Sequence, residues 1–374
     1  MNDRDTSTTT AHQTRPTPAN RLGLDYRAEA SRLGPAPAPI IDVHTHINGV
    51  AAARIYREAR DLYGVTTTYS MTQLREAEAV RDALDGTVHF IAVPDYLSDD
   101  RARAMREGFL ENIQAFHDLG SRIVKFWAAP RSRDMAREIG DPDEGRLDGA
   151  WRLRAMELGE SLGMMFMAHI GDPDTWFQTR YAEASLYGTK SEQYLPFERM
   201  LDRFSVPWIG AHMGGWPEDL DFLDGLLSRH DNLHLDTSAT KWMVRELSKH
   251  PRDRFCEFFE KWRDRILFGS DIVTLDAHLS PDDGPRGMGM QAASEAEAFD
   301  LYASRYWALR TLFETDYDGE SPIADPDLNM IDPDRHDAMA APPLRGKSLP
   351  AELLRDIYRD NAVTLLDGWR EAHP

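Results

Sequence analysis

From Pro39 onward, short β-branched or apolar runs alternate with longer amphipathic stretches, which is how repeated βα units read. Eight such runs can be counted: PIIDVHTHI (39–47), VTTTYSM (65–71), TVHFIAVPDY (87–96), RIVKFWAAP (122–130), MMFMAHIG (164–171), PWIGAHMG (207–214), NLHLDTSA (232–239) and RILFGSDIV (265–273). Helix-like segments separate them, among them AARIYREARDL, AMREGFLENIQAFHDL, AWRLRAMELGESL, DLDFLDGLLSRH and the stretch 241–262. Eight strands each followed by a helix predict an α/β fold of the closed parallel (β/α)8 type, a TIM barrel. After the eighth run the pattern breaks. Residues 274–348 hold one strong helical stretch, SEAEAFDLYASRYWALRTLFE, and a loop rich in Pro and Asp. That is too long for an ordinary connection, so a long insertion after strand 8 is expected to cover the active-site mouth. A final helix, LPAELLRDIYRDNAVTLLDGW, closes the pattern. Residues 1–37, rich in Thr, Pro, Ala and Arg without an apolar period, read as a flexible N-terminal tail. Residues 38–374 then form one barrel domain.

Composition narrows the classes. A length of 374 residues lies within the reach of one α/β barrel. Hydrophobic residues at 41% and charged residues at 28% describe a chain able to bury a large core, which excludes global disorder. With 43 basic against 63 acidic side chains, the net charge of −20 repels phosphate backbones and anionic lipid, so neither nucleic acid nor membrane is an expected partner. No apolar run approaches the roughly 18–20 residues of a membrane span, and the first twenty residues hold no hydrophobic signal core, so a cytoplasmic location is expected. The single cysteine, Cys256, excludes an internal disulfide framework and a thiolate metal cluster. Within RFCEFFEKW it reads as a small core residue.

Strand parity carries the chemistry. Side chains at i and i+2 share a face, so His44 and His46 in DVHTH point the same way near the end of the first strand. His169 ends the fifth run, His212 the sixth and Asp271 the eighth. In a parallel barrel these strand ends meet at one mouth, where such folds place their active sites. A lone histidine is more often a hydrogen-bonded core residue. The remaining histidines fall mostly elsewhere, including His12 and His373 near the termini and His117, His230 and His250 at helix ends. Nitrogen and oxygen donors without sulfur suit one divalent transition metal, Zn²⁺ first, with Fe²⁺, Mn²⁺, Co²⁺ and Ni²⁺ open.

DVHTH, the isolated His169, AHMGGWPEDLDFLDGLLSRHDNLHLDTSA, ILFGSD and IYRDNAVTLLDG together resemble the amidohydrolase-related (amidohydrolase family 2) metal-dependent hydrolases of the aminocarboxymuconate-semialdehyde decarboxylase type. The resemblance covers most of 39–273 plus 349–368. It implies that His44, His46, His169 and Asp271 bind one metal and that His212 is the catalytic acid/base. The function it implies is metal-dependent hydrolysis of a small carbonyl compound through a metal-activated water, with Asp271 both ligand and proton acceptor. The rival is non-oxidative decarboxylation on the same constellation; a non-catalytic binding barrel is the third reading. A small-molecule substrate and a homodimer are the expected partners. Residues 1–37 and 274–348 lie outside the resemblance, so it carries no substrate identity.

Several further residues are candidates. Asp42 shares parity with His44 and His46, one layer deeper, as a ligand-orienting group or a satisfied interior carboxylate. Lys125 stands where related binuclear hydrolases carry a carbamylated lysine; a substrate contact or salt bridge is the alternative. Asp236 reads as a structural hydrogen-bond partner. Trp127, Trp176, Trp216 and Trp242 follow strands and are candidate pocket walls. Arg131, Arg180 and Lys241 are candidate carboxylate holders, with surface solvation the plainer fate. No strand end carries a paired arginine, which favours hydrolysis, although Arg286, Arg305 or Arg310 of the late segment could supply a clamp.

Overall fold

The computed structural model describes residues 16–281 and 291–373. Every expected strand run is present: β1 (Ile40–Ile47), β2 (Val65–Ser70), β3 (Val88–Phe90), β4 (Ile123–Trp127), β5 (Met165–His169), β6 (Trp208–Gly210), β7 (Leu233–Asp236) and an eighth run split into β8 (Ile266–Leu267) and β9 (Ile272–Thr274). They form two all-parallel sheets, ordered β3-β2-β1-β9 and β4-β5-β6-β7-β8. Both seams between the sheets are bonded. Ala92 N–H donates to Ile123 O and Lys125 N–H to Ala92 O, each at 2.9 Å. On the other side Val43 N–H donates to Phe268 O at 2.9 Å and Asp271 N–H to His44 O at 2.8 Å. The parallel strands therefore close on themselves.

The register brings the strand ends level, with Lys125 opposite Met167 and Trp127 opposite His169. Alternation then sorts the faces: Lys125 points into the barrel, and Phe126, one residue out of phase, points to the helices. There Phe126, Phe166 and Trp208 interlock, with ring centroids 5.5 Å apart for Phe126–Phe166 and 4.9 Å for Phe166–Trp208. Gly159, in the helix Ala150–Ser161, lets that helix lie close, since a Cβ there would stand 3.0 Å from the Phe166 ring.

Helices fill the other expected segments, among them Val50–Leu62, Glu107–Asp118, Lys190–Arg203 and Leu220–Arg229. The stretch 241–262 is two helices, Thr240–Leu247 and Arg252–Lys261, because Pro251 cannot continue the first and starts the second. The long helix Glu295–Glu314 is buried almost all round, and its Tyr306 shares a 2.7 Å hydrogen bond with Tyr56 of Val50–Leu62. Cys256 is half-buried against the core, as its setting suggests. Among the described residues no helix is long and apolar enough to cross a membrane.

One expectation needs correcting. Residues 1–15 lie outside the described residues, but 16–37 are not a loose tail. Tyr26–Leu33 is a helix whose N-terminal amides, Arg27 and Ala28, donate to the Asp25 side chain. Tyr26 is buried, its hydroxyl donates to Ala19 O, and its own carbonyl accepts the Tyr63 hydroxyl at 2.8 Å. Arg27 lies 3.9 Å above the Phe299 ring. These partners are remote in sequence, so local periodicity carries no trace of them. Tyr26→Ala should therefore cost roughly 3–5 kcal/mol in denaturant unfolding, as for other large aromatic truncations in a core; a cost below about 1 kcal/mol would show that this helix does not belong to the folded unit.

Candidate active site

Three groups meet at the end of the first and eighth strands. Parity aims His44 and His46 into the barrel, and the turn between β8 and β9 swings Asp271 toward them. Asp271 Oδ1 lies 3.5 Å from His44 Nε2 and 3.2 Å from His46 Nε2. The donor atoms of all three fall within 4.8 Å of one another. His44 Nδ1–H donates to Asp236 Oδ2 at 2.8 Å, which leaves the Nε2 lone pair facing Asp271 and the Lys125 ammonium 3.3 Å away. His169 stands apart from this trio. Its Nε2 contacts only acceptors, Asp172 Oδ1 at 3.0 Å and Gly171 O at 3.1 Å, so that nitrogen carries the hydrogen and Nδ1 keeps the lone pair. Its ring packs edge-on to His212 with centroids 4.4 Å apart. The imidazoles of His44 and His169, each fixed by a carboxylate behind the ring, together with His46 and the Asp271 carboxylate are donor chemistry that fits a divalent ion.

A second cluster, His44, His212 and Asp236, lies alongside. Its geometry is that of a hydrogen-bonded relay. Buried Asp236 accepts His44 Nδ1–H, the His212 backbone N–H at 2.9 Å, the Ser238 N–H at 3.0 Å and the Ser238 hydroxyl. With its one hydrogen committed to Asp236, Ser238 Oγ accepts at 2.7 Å from His212 Nδ1, and Nε2 is the nitrogen of His212 left free. Burial, then the nearby His169, holds the His212 pKa well below the usual value, so the ring is neutral. Burial raises both Asp236 and Asp271, but the hydrogen bonds and charges of the surrounding histidines outweigh it and hold both carboxylates well below the usual range.

The backbone here is unusual. His212, Met213, Ala239 and Asp271 have φ of 59°, 51°, 66° and 59°, left-handed values at strand ends that L residues adopt at a cost of about 1–3 kcal/mol each. Asp42 braces one of these turns. It accepts from His44 N–H at 3.2 Å, Ser270 N–H at 3.1 Å, Ser270 Oγ at 2.6 Å and Tyr306 Oη at 2.8 Å, and burial pushes it up to about 7 despite those donors. Asp42 touches no histidine ring, so of its two readings the satisfied interior carboxylate is the one the geometry matches. Lys125 is buried beside His44, and burial lowers its ammonium to about 8 against the pull of Asp236 and Asp271.

His169, His212 and Asp271 open on a cavity of about 400 Å³, a size suited to a small molecule. Of the four candidate tryptophans, Trp176 and Trp242 line it. Trp127, with Arg131, lines a separate cavity, and Trp216 stacks on Tyr194 at 5.5 Å. Arg180, Lys241 and Arg305 line the main cavity; Arg310 is tied to Glu314 by bonds of 2.6 and 2.8 Å, and Arg286 lies outside the described residues. Ser238 and Asp172 were missed in the sequence. Ser238 had a signal, since it shares parity with Asp236 two residues earlier; Asp172, three residues beyond His169 in a loop, had none.

No family model and no curated protein matches the sequence. Solved structures similar to the chain include a probable 2-pyrone-4,6-dicarboxylic acid hydrolase from Acinetobacter baumannii with citric acid bound, at 11% identity and a TM-score of 0.45, covering 87% of this chain and 98% of the other. A 5-carboxyvanillate decarboxylase from Sphingomonas paucimobilis aligns at 12% identity and 0.40 over 88% and 98%. A dihydroxybenzoic acid decarboxylase from Polaromonas, with manganese and the inhibitor 2-nitroresorcinol, aligns at 14% and 0.32 over 73% and 97%. Both hydrolases and decarboxylases thus stand among the neighbours. At these scores they carry no argument, and the functional reading rests on the chain's own residues.

If the histidine and aspartate cluster holds one ion, elemental analysis of the gently purified protein should find about one divalent transition metal per chain. His44→Ala and His169→Ala should each lose most of it, and full occupancy in both would refute those ligands. About two metals per chain, falling on Lys125→Ala, would establish a lysine-bridged pair instead.

Proposed function

We propose that the chain is a metal-dependent hydrolase acting on a small carbonyl-containing substrate, an amide, ester or lactone. The observation that carries this reading is the convergence of His44, His46 and Asp271 on one point, beside a neutral His212 that lines the same cavity as Asp271. His44, His46, His169 and Asp271 would hold the ion, with Zn²⁺ the first choice and Mn²⁺ close behind for this donor set. Bound there, a divalent ion supplies Lewis acidity, which polarises a carbonyl and lowers the pKa of water.

The remaining steps belong to the protein. Asp271, held ionised by its histidine neighbours, accepts the proton that the attacking water gives up. His212, neutral and anchored through Nδ1, takes at Nε2 the second proton of the attacking water and passes it to the leaving nitrogen or oxygen as the bond to the carbonyl carbon breaks. The imidazolium formed in passing keeps its Nδ1–H on Ser238, whose hydroxyl leans on Asp236, so the transient charge is met by a carboxylate two hydrogen bonds away. The segment following β9 acts as the cover of this mouth, a role supported by Leu301, Tyr302 and Arg305 of Glu295–Glu314 in the cavity wall.

One observation favours a second reading, non-oxidative decarboxylation. The cationic side chains of Lys241 and Arg305 in the wall are what a substrate carboxylate needs, and His212 can then deliver a proton to the carbon that loses CO₂. His212→Asn should retain its metal while turnover falls by roughly two to four orders of magnitude; wild-type turnover in that variant would remove His212 from the mechanism. Turnover in ¹⁸O-labelled water, with exchange controlled, then separates the classes: label in the acyl product marks hydrolysis, whereas CO₂ release with solvent deuterium on the product carbon marks decarboxylation.

A further inference from the structure

Two half-buried cations in the cavity wall form no salt bridge among the described residues. Lys241 opens the helix Thr240–Leu247 just after β7, and Arg305 lies on Glu295–Glu314, a helix that packs against it, so two neighbouring helices bring the cations into one cavity wall. Both are half-buried. Arg305 makes one side-chain bond, to the Ser304 hydroxyl at 2.9 Å, and among the described residues neither cation pairs with a carboxylate. The acids nearby are already engaged. Arg245, one turn after Lys241, holds Asp325, Asp327 and Glu246, and Asp327 also accepts from Trp176 Nε1. Lys241 and Arg305 are also near enough to repel each other, and burial together with that repulsion lowers the Lys241 ammonium, while burial brings Arg305 down to about 10.

In a chain with twenty more acidic than basic side chains, nearly every other inward cation has a carboxylate or carbonyl partner. Arg60, Arg152, Arg310 and Lys190 are examples. Two like charges held together, partly dehydrated and unpaired, destabilise the empty pocket; an anion placed between them reverses the sign of that contribution. Trp176, Trp242 and Tyr302 supply flat apolar walls in the same cavity.

We infer that Lys241 and Arg305 form an anion-recognition subsite, distinct from the metal-facing residues, that selects planar substrates carrying a carboxylate away from the reacting carbonyl. The inference rests on the cavity being the substrate site, as the proposed function holds. It adds Arg305, from a helix outside the barrel repeat, as the specificity-determining residue.

Equilibrium titration of the metal-loaded protein with isophthalate and with its uncharged analogue isophthalamide tests it without any variant. Isophthalate should bind roughly tenfold or more tightly than isophthalamide. Lys241→Met and Arg305→Met should each lose roughly tenfold for isophthalate and nothing for isophthalamide, with Arg305→Lys restoring part of the loss. Equal affinity for the two probes, or no binding of isophthalate at millimolar concentration, overturns the subsite. So does isophthalate binding that falls with His44→Ala but not with the two methionine variants, because the carboxylate is then held at the metal. Turnover plays no part in these readouts. Selective isophthalate binding in a chain that fails the ¹⁸O and CO₂ assays would refute the catalytic reading and leave the subsite standing.

Discussion

Asp236 is a carboxylate sealed inside the barrel, and four hydrogens converge on it. Buried ionised carboxylates are unfavourable unless paired and hydrogen-bonded. This one is satisfied by a ring of its own making: the His44 imidazole, the His212 backbone amide, and the amide and hydroxyl of Ser238. Each bond fixes something the site needs. The His44 contact selects the tautomer that aims Nε2 outward. The amide contact pins the left-handed turn that presents His212, and the hydroxyl contact orients the group on which His212 rests. A single ionisation inside β7 thereby sets the direction of two histidines on two other strands.

Closure of the strands is what makes this arrangement possible. His44 and Asp236 are 192 residues apart, and they meet because β1 bonds to the β8–β9 turn on one side while β7 bonds to β8 on the other. The turn itself is held from beneath by Asp42, which ties Ser270 to the His44 amide and reaches Tyr306 on the long helix. Beyond the strands, the loops after β5 and β6 touch directly. A Cβ on Gly215, where φ is 86°, would stand 2.7 Å from the Gly171 nitrogen, so this approach requires glycine.

Much of this was legible in the chain because it follows from short-range rules. Alternation located all eight strand runs, and parity placed His44 with His46 on the inner face. What escaped depends on contacts between distant segments. The Tyr26 helix is held by Tyr63 and Phe299, and its own stretch, rich in Pro and Ala, has too weak an apolar period to announce it. The break between β8 and β9 is set by Asp42 beneath Ser270, a bond across 228 residues. His169 was expected to stand level with the other ligands. It does reach the mouth, but with Asp172 fixing its Nε2 and its ring edge-on to His212, a rotation that no spacing rule encodes.

The distribution of charge follows the same logic. A net charge of −20 spread over the surface describes solubility and says little about a cavity whose walls exclude most water, because screening and desolvation act locally. Inside, acids pair with Arg245 and Lys190, and the two half-buried cavity cations without a salt bridge among the described residues belong to different segments, one next to a barrel strand and one on the long helix that follows. On the proposed reading, the turns at the strand ends carry the groups that would move protons, His212 and Asp271, while the helix that follows them contributes to the groups that would choose the substrate. On that reading a change of substrate can come from residues on Thr240–Leu247 and Glu295–Glu314 while the strands stay as they are.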